Sequence, residues 1–289
     1  MPTPFLKMNG SGNDFVVIDA RQEPVRLTAD AVQAIAARQN TVTGGCDQLI
    51  VMERSKTADV FMRIYNADGS QVDACGNATR CVAGLLEEEL GRLPVSIATN
   101  AGVLRGLEIA YTPEEDEYVL VDMGTPKFDW KDIPLAMPQD QAAKLIGERT
   151  KLGNPDFVNM GNPHVVFFVA DESKLNAVPL EMLGPKIENM VDIFPQRVNV
   201  SIATVHAAKD GLGHIIHARV WERGAGLTEA CGTAACAMLA AANKRDALVT
   251  DAHLWFEPFG SFVTVQMGDD GRILLGGPVE TEFTGMLNL

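Results

Sequence analysis

Two stretches of the chain, DACGNATRCV at residues 73–82 and EACGTAACAM at residues 229–238, each set an Ala-Cys-Gly element ahead of a run of small residues. Aligned on Cys75 and Cys231, 156 positions apart, the preceding residues also agree: Arg63 with Arg219, Ile64 with Val220, Tyr65 with Trp221, Asp73 with Glu229 and Ala74 with Ala230. Beyond the cysteines, Gly76 meets Gly232 and Ala78 meets Ala234. An earlier pair, GNDFVV at 12–17 and GNPHVV at 161–166, occurs in the same order. One short match between Ala- and Gly-rich helix starts arises readily by chance, whereas two in the same order indicate duplication. A chain of 289 residues, nearly half of them apolar, is long enough to build two related domains.

Short runs rich in β-branched and aromatic residues, DFVVIDA at 14–20 and VVFFVA at 165–170, predict buried strands. TADAVQAIAARQ at 28–39 predicts a helix capped by Thr28, with Val32, Ile35 and Ala36 on one face. Strands and helices are mixed along the whole length, which makes this an α/β (mixed α+β) chain. MGTPKFDWKDIP at 123–134 has the Gly, Pro and polar content of a connection, and GGP at 276–278 predicts a second break ahead of a last strand.

The formal charge of −14 argues against a nucleic-acid partner, which needs a basic stripe. No apolar run is long enough for a membrane span, and the first residues lack a charged segment followed by an apolar one, so a cytoplasmic protein is expected. Five cysteines (Cys46, Cys75, Cys81, Cys231, Cys236) are an odd number and fit reduced thiols better than a disulfide framework.

In each copy the residue after Cys-Gly, Asn77 or Thr233, is of a helix-capping type and a helical pattern follows. Each cysteine is therefore expected at or just before a helix N-terminus, where free N–H groups and the helix dipole favour thiolate and draw the thiol pKa toward neutrality. The same helix ends make an anion site. Removing the α-proton of an amino acid requires stabilisation of the charge that builds on its carboxylate, which preorganised N–H donors supply. One cysteine, as thiolate, takes the proton and the other, as thiol, returns one to the opposite face, so the outcome is inversion of a stereocentre.

Cys81 and Cys236, within the helices, are expected to be small core residues, and Cys46 likewise. The spacings C-x5-C and C-x4-C do not suit structural zinc, so no metal is expected. GSG at 10–12 does not complete a dinucleotide fingerprint and no phosphate loop is present. A pyridoxal lysine stays open on residues alone, but a two-thiol reaction uses no cofactor.

These motifs resemble those of the diaminopimelate epimerase family over nearly the whole chain. They comprise MNGSGNDFVVID at the start, CDQLIV at 46–51, RIYNADGSQVDACGNATRC at 63–81, GNPHVVFF at 161–168, RVNVS at 197–201 and WERGAGLTEACGTAACA at 221–237. The resemblance implies two pseudo-symmetric α/β domains, each a curled sheet around a central helix, with the final strand returning to the first domain. The expected domains are thus residues 1–125 with 277–289, and residues 126–276. It implies cofactor-independent conversion of LL- to meso-diaminopimelate, on the route to lysine and peptidoglycan, with Cys75 and Cys231 as the catalytic pair. Substrate-binding residues carry over onto Asn13, Gln48, Asn66, Gly76, Asn77, Asn162, Asn199, Glu222, Arg223, Gly232 and Thr233.

Diaminopimelate has an amino acid head at each end, so a specific site must also hold the head that does not react. Arg223 suits its carboxylate, Glu222 its ammonium, and the amides of Asn66, Asn162 and Asn199 can donate or accept. In the repeat alignment Glu222 and Arg223 fall on Asn66 and Ala67, so these charges stand in one half only. His164, in GNPH, reads as a satisfied histidine at a strand start, with a site role as the other reading. Where many relatives have CGNGARC and CGTGAC this chain has CGNATRC and CGTAAC, and Ala for Gly strengthens a helix by under about 1 kcal/mol. A related two-thiol isomerase, such as a proline or hydroxyproline racemase, and an amino acid binding protein without turnover are the competing readings. Whether the chain pairs as a homodimer is not legible in the sequence.

Overall fold

The computed structural model of the chain describes residues 2–111, 117–208 and 213–289. They fall into two compact units, one formed by residues up to Asp122 together with Gly276–Leu289, the other by Met123–Leu275.

The first unit contains β1 (Pro2–Gly10), β2 (Asn13–Asp19), α1 (Ala29–Ala36), β3 (Gln48–Glu53), β4 (Val60–Asn66), β5 (Gln71–Val72), α2 (Gly76–Leu90), β6 (Val95–Thr99), β7 (Gly102–Tyr111) and β8 (Glu117–Asp122). The second contains α3 (Gln139–Thr150), β9 (Asp156–Asn159), β10 (Pro163–Phe168), α4 (Glu172–Ala177), α5 (Leu180–Glu188), β11 (Asn199–Ala207), β12 (His214–Glu222), β13 (Gly226–Leu227), α6 (Gly232–Arg245), β14 (Asp251–Phe256) and β15 (Ser261–Met267). The last strand, β16 (Ile273–Asn288), begins in the second unit and ends in the first, where it pairs antiparallel with β1.

Strand order in the first unit is β1-β2-β3-β4-β6-β7-β8, and in the second β15-β14-β12-β11-β10-β9. The duplication is visible in this topology. Advanced by the repeat spacing, β4, α2 and β6 fall on β12, α6 and β14. In both units an antiparallel pair (β1 with β2, β9 with β10) is followed by a parallel one (β2 with β3, β10 with β11) and then by another antiparallel one (β3 with β4, β11 with β12). The register agrees as well: Tyr65 opposes Gln71 and Trp221 opposes Leu227. The two domains are pseudo-symmetric.

In each unit one helix is enclosed by the sheet. α2 packs on β1, β6, β7 and β8, from opposite ends of the strand order, and α6 packs on β9, β10, β11, β14 and β15. The small-residue runs of the sequence are explained by this: Gly232 to Ala242 are buried without a gap, and a helix apolar on every side has no solvent face. The outer face of each sheet is covered by other helices. In the first unit Val32, Ile35 and Ala36 of α1 pack on Val16, Ile18 and Leu49, and in the second Leu180 and Ile187 of α5 pack among Val165, Phe167, Val200 and Ile202. Covered on both faces, β2 and β10 read as continuous apolar runs, which is why the sequence reveals them.

Thr28 caps α1 by accepting the Ala31 N–H at 3.2 Å. The helix ends sooner than its pattern predicts because the Ala36 carbonyl is taken by the Cys46 N–H, and Ala37 turns to extended backbone. The break expected at 276–278 is a boundary between the two units but not an interruption of the strand, since β16 runs straight through it. Gly277 is there for a close approach: a Cβ would lie 2.3 Å from Arg80 Nη1, and the same guanidinium donates to the Pro278 carbonyl at 2.9 Å. Residues 123–134 are irregular but anchored, through Met123 and Gly124 to Ile273 and through buried Ile133.

Gly106 of β7 shows how tightly α2 is held, because a Cβ there would come within 2.7 Å of Ala83 Cβ and 2.8 Å of Val95 Cγ2. Gly106→Ala is expected to destabilise the protein by about 1–3 kcal/mol, the range for overpacking a filled core. Denaturant unfolding measures this directly, and an unchanged midpoint would show that the helix has room to move away from the sheet.

Candidate active site

Both cysteines stand at helix N-termini, in the same backbone conformation: φ −145°, ψ 114° at Cys75 and φ −138°, ψ 104° at Cys231. They are themselves the N-cap residues, and neither helix end has a side-chain cap. This corrects the expectation that Asn77 and Thr233 cap the helices. The chain leaves extended backbone at the cysteine, so Gly76 and Gly232 are already the first helical residues and Asn77 and Thr233 the second.

In the first unit the thiol of Cys75 points to Asn13 Oδ1 at 3.9 Å. Asn13 begins β2, and its amide is oriented from behind: Nδ2 donates to Asp47 Oδ2 at 2.8 Å, which leaves Oδ1 for the thiol. Asp47 and Asp14 also exchange backbone bonds, the Asp14 N–H donating to Asp47 Oδ2 and the Asp47 N–H to Asp14 Oδ1, so the starts of β2 and β3 are stapled together. Lys7, buried, reaches Asp14 Oδ2 at 2.5 Å and the Gly45 carbonyl, and Arg38 bridges Asp14 and Asp47. Burial works to raise the Asp14 pKa, but the hydrogen bonds from Arg38 and Lys7 prevail and hold it at about 2. Asp47 is shifted the other way, upward, by burial and by the charge of Asp14.

Gln48 and Asn66 face each other across β3 and β4, with Gln48 Nε2 donating to Asn66 Oδ1 at 3.1 Å, while Gln48 Oε1 is buried without a hydrogen-bond partner. Asn77 is fully buried, and its Oδ1 accepts from Arg80 Nη2 at 2.9 Å. The same guanidinium nitrogen donates to Ser11 Oγ at 3.0 Å, tying the helix to the turn ahead of Asn13.

In the second unit Cys231 lies 3.6 Å from Thr233 Oγ1, which accepts from Asn162 Nδ2 at 3.3 Å, and Asn162 Oδ1 in turn lies 2.7 Å from His164 Nε2. His164 is wholly buried, and its pKa is pushed down to about 3 by burial and by the charge of Arg223, so the ring is neutral with Nε2–H as donor. The sequence reading of a satisfied histidine holds for Nε2 alone, because Nδ1 is buried without a partner. Asn199 donates to the Pro163 carbonyl and accepts the Arg223 N–H at 2.8 Å, so it fixes the backbone of the Glu222–Arg223 pair.

Cys231 corrects the thiol expectation. It is only 5% exposed, and burial lifts its pKa well above the ordinary 9.0, with the charge of Glu222 adding to the rise; the Thr233 hydroxyl and the Ala234 N–H oppose this and lose. A helix end contributes about 0.3–1 kcal/mol, or ~2 kcal/mol when well placed, whereas full burial moves a pKa by up to about 3–5 units. Cys81 and Cys236 are core residues as expected, and burial pushes the Cys46 thiol up to about 12.

The structure thus brings together Asn13 with Cys75, Gln48 with Asn66, Asn162 with Thr233, and both Thr233 and Glu222 with Cys231. Sequence reasoning missed Asp47, whose only signal is its place in the CDQ motif, and Glu188, which carried none. Among the described residues no group of three or more His, Cys, Asp or Glu side chains is arranged to hold a metal, and no helix is long and apolar enough to cross a membrane.

Comparison with known proteins adds the following. The family model described as diaminopimelate epimerase matches residues 5–128 and 157–281. A diaminopimelate epimerase of Acidiphilium cryptum is 47% identical over 99% of this chain and 96% of its own length. Among solved structures, a phenazine biosynthesis protein of the PhzF family from Bacillus anthracis superposes with a TM-score of 0.68 over 100% of both chains at 19% identity. A hydroxyproline epimerase from Agrobacterium vitis does so with 0.61 over 99% of this chain and 91% of its own, at 15% identity. The last two establish the shared fold.

Two outcomes follow from the site. In the ligand-free protein, iodoacetamide should alkylate half-buried Cys75 ahead of buried Cys231, with Cys46, Cys81 and Cys236 slower still; peptide mass mapping against time tests the order. The Asp14 pKa is lowered on folding, so its contribution to stability is complete above pH 3.8 and is lost as pH falls toward about 2. The unfolding free-energy gap between wild type and Asp14→Asn should therefore narrow across that window, and a constant gap would contradict the assignment.

Proposed function

The chain belongs to the diaminopimelate epimerase family, and from that premise we propose that it interconverts LL- and meso-diaminopimelate with Cys75 and Cys231 as the acid–base pair. The observation that carries this is the pair of cysteines in matching N-cap geometry, each without a side-chain cap, so that the first two N–H groups of both helices are available to a carboxylate. Those donors favour the extra negative charge that the substrate carboxylate takes on as its α-proton leaves.

One sulfur, as thiolate, takes the α-proton and the other, as thiol, delivers a proton to the opposite face, which inverts the carbon; the reverse reaction exchanges the roles. Burial keeps Cys231 protonated in the ligand-free enzyme, which fits it to give a proton in the first encounter and leaves Cys75 to accept one. Asn13 and Thr233 sit against the two sulfurs and hold their direction. Glu222 and Arg223 take the ammonium and carboxylate of the head that does not react, and Gln48, Asn66 and Asn162 supply neutral polar contacts. Thiols alone account for the chemistry, so no cofactor enters, and the enzyme is assigned to the cytoplasm and to amino-acid biosynthesis. A proline racemase reading is weaker because a cyclic imino acid has no second head for Glu222 and Arg223.

Cys75→Ala and Cys231→Ala are each expected to lower epimerisation by about 10²–10⁴-fold, the usual weight of a general acid or base, with unfolding midpoints near wild type. Deuterium uptake at the α-carbon of LL-diaminopimelate and of proline measures activity and substrate class together. Wild-type rates in either variant, or uptake with proline alone, would overturn the reading.

A further inference from the structure

The Glu222–Arg223 pair lies at the end of β12, in a turn that leads to β13. Behind it stands a carboxylate that the reaction does not use. Glu188, the last residue of α5, is 4% exposed and accepts three hydrogen bonds: from Trp221 Nε1 at 2.7 Å, from the Gly224 N–H at 3.0 Å and from Arg197 Nη1 at 3.0 Å. Trp221 precedes the pair and Gly224 follows it, so one side chain grips the chain on both sides of Glu222 and Arg223. The approach is built in elsewhere too. Gly184 on α5 lies so close to Trp221 that a Cβ would fall 2.5 Å from its ring, and Gly224 turns with φ +79°.

The first unit serves as an internal control. Its matching turn carries Asn66 and Ala67, and the position that corresponds to Gly224 is Asp68. There too a side chain from the outer helix holds the turn, but it is a neutral and exposed one, Gln33, whose Nε2 donates to the Asp68 carbonyl at 2.7 Å. A buried anionic anchor occurs only where the turn carries the charged pair. Keeping a carboxylate out of water is costly unless it is fully hydrogen-bonded, and its bonds are correspondingly strong and directional.

We propose that Glu188 is a positioning residue that sets Glu222 and Arg223 for the distal amino acid head of the substrate, an inference that rests on the reading of those two residues given above. Glu188 bonds to Trp221, Gly224 and Arg197 and not to the cysteines, so it acts through the turn.

Glu188→Gln keeps an acceptor but cannot match the Arg197 charge and both other donors. The expected result is a KM for diaminopimelate raised about tenfold, with kcat within about threefold of wild type. A lowered unfolding midpoint with KM unchanged would reduce Glu188 to a structural role and overturn the proposal. Trp221→Phe, which deletes one donor and keeps the ring, gives a smaller rise in KM and decides the matter if Glu188→Gln does not fold; no rise there counts against the proposal. Amide hydrogen exchange over residues 221–226, faster in Glu188→Gln than in wild type, reports the grip without turnover, and equal protection overturns it. Absence of α-deuterium uptake in the wild-type enzyme would instead sink the functional reading, an outcome that this exchange measurement keeps separate.

Discussion

A helix enclosed by a curled sheet controls nearly everything else in this chain. Packed against strands, α2 and α6 carry mostly small side chains in their first turns, hence the Ala, Gly, Cys and Thr of both repeats, with Arg80 as the one large buried exception there. Enclosure also decides what a helix end can do. An N-terminus usually satisfies its first N–H groups with a Ser, Thr, Asp or Asn cap, or with water. Here the cap residue is a cysteine, with no Ser, Thr, Asp or Asn side chain closing either helix end and only the Ala234 N–H turned to the Cys231 sulfur, so the sulfur stands beside the first N–H groups of the helix. A single packing constraint thereby sets helix-end N–H donors and a sulfur side by side, which is the arrangement the proposed reaction uses.

Duplication gives two such ends, and their surroundings have diverged. Cys75 meets the Asn13 amide directly, while the equivalent Asn162 reaches Cys231 by way of Thr233 and is itself held by a neutral, buried His164. Support for the amide differs in kind as well: a carboxylate, Asp47, tied to Lys7, Asp14 and Arg38 in the first unit, an imidazole in the second. The turn that follows β4 carries Asn66 and Ala67 where its counterpart after β12 carries Glu222 and Arg223. A substrate with two like heads, only one of which reacts, requires that sort of division: two equivalent places for the chemistry and one place that recognises the spectator.

The sequence was most informative where local pattern and burial coincide. The runs FVVI and VVFF are apolar because β2 and β10 are covered on both faces, and the repeat is legible because the first turns of the enclosed helices hold mostly small side chains. It misled where a residue type has two uses. Gly276 and Gly277 mark the boundary between the units without interrupting the strand, which passes against Arg80, and Asn77 looked like a cap but turns its carbonyl oxygen to that arginine. Partners contributed by distant segments left no trace in the pattern. Asp47 is found only by following the amide of Asn13, and Glu188, in the ordinary-looking stretch PKIENM, only by asking where the Trp221 indole N–H goes.

The thiol of Cys231 is the instructive failure, because both effects invoked for it are present. The Ala234 N–H and the Thr233 hydroxyl do favour thiolate, as a helix end should, but burial and the adjacent Glu222 charge outweigh them. Enclosure therefore works in both directions: it keeps donors free for an anion and at the same time makes an anion expensive to hold at rest. A resting thiolate at this position would be poorly solvated, whereas a thiol that ionises only as its proton moves to a carbanion needs that stabilisation for the length of one transfer. The helix end is then best regarded as a device matched to charge that develops on the substrate, with donors fixed in advance so that nothing has to reorganise when it appears. On this view the high resting pKa of a buried cysteine is compatible with the role of proton donor proposed for it, and the sequence-based expectation erred by assigning to the resting state a stabilisation that the proposed reaction would use only in passing.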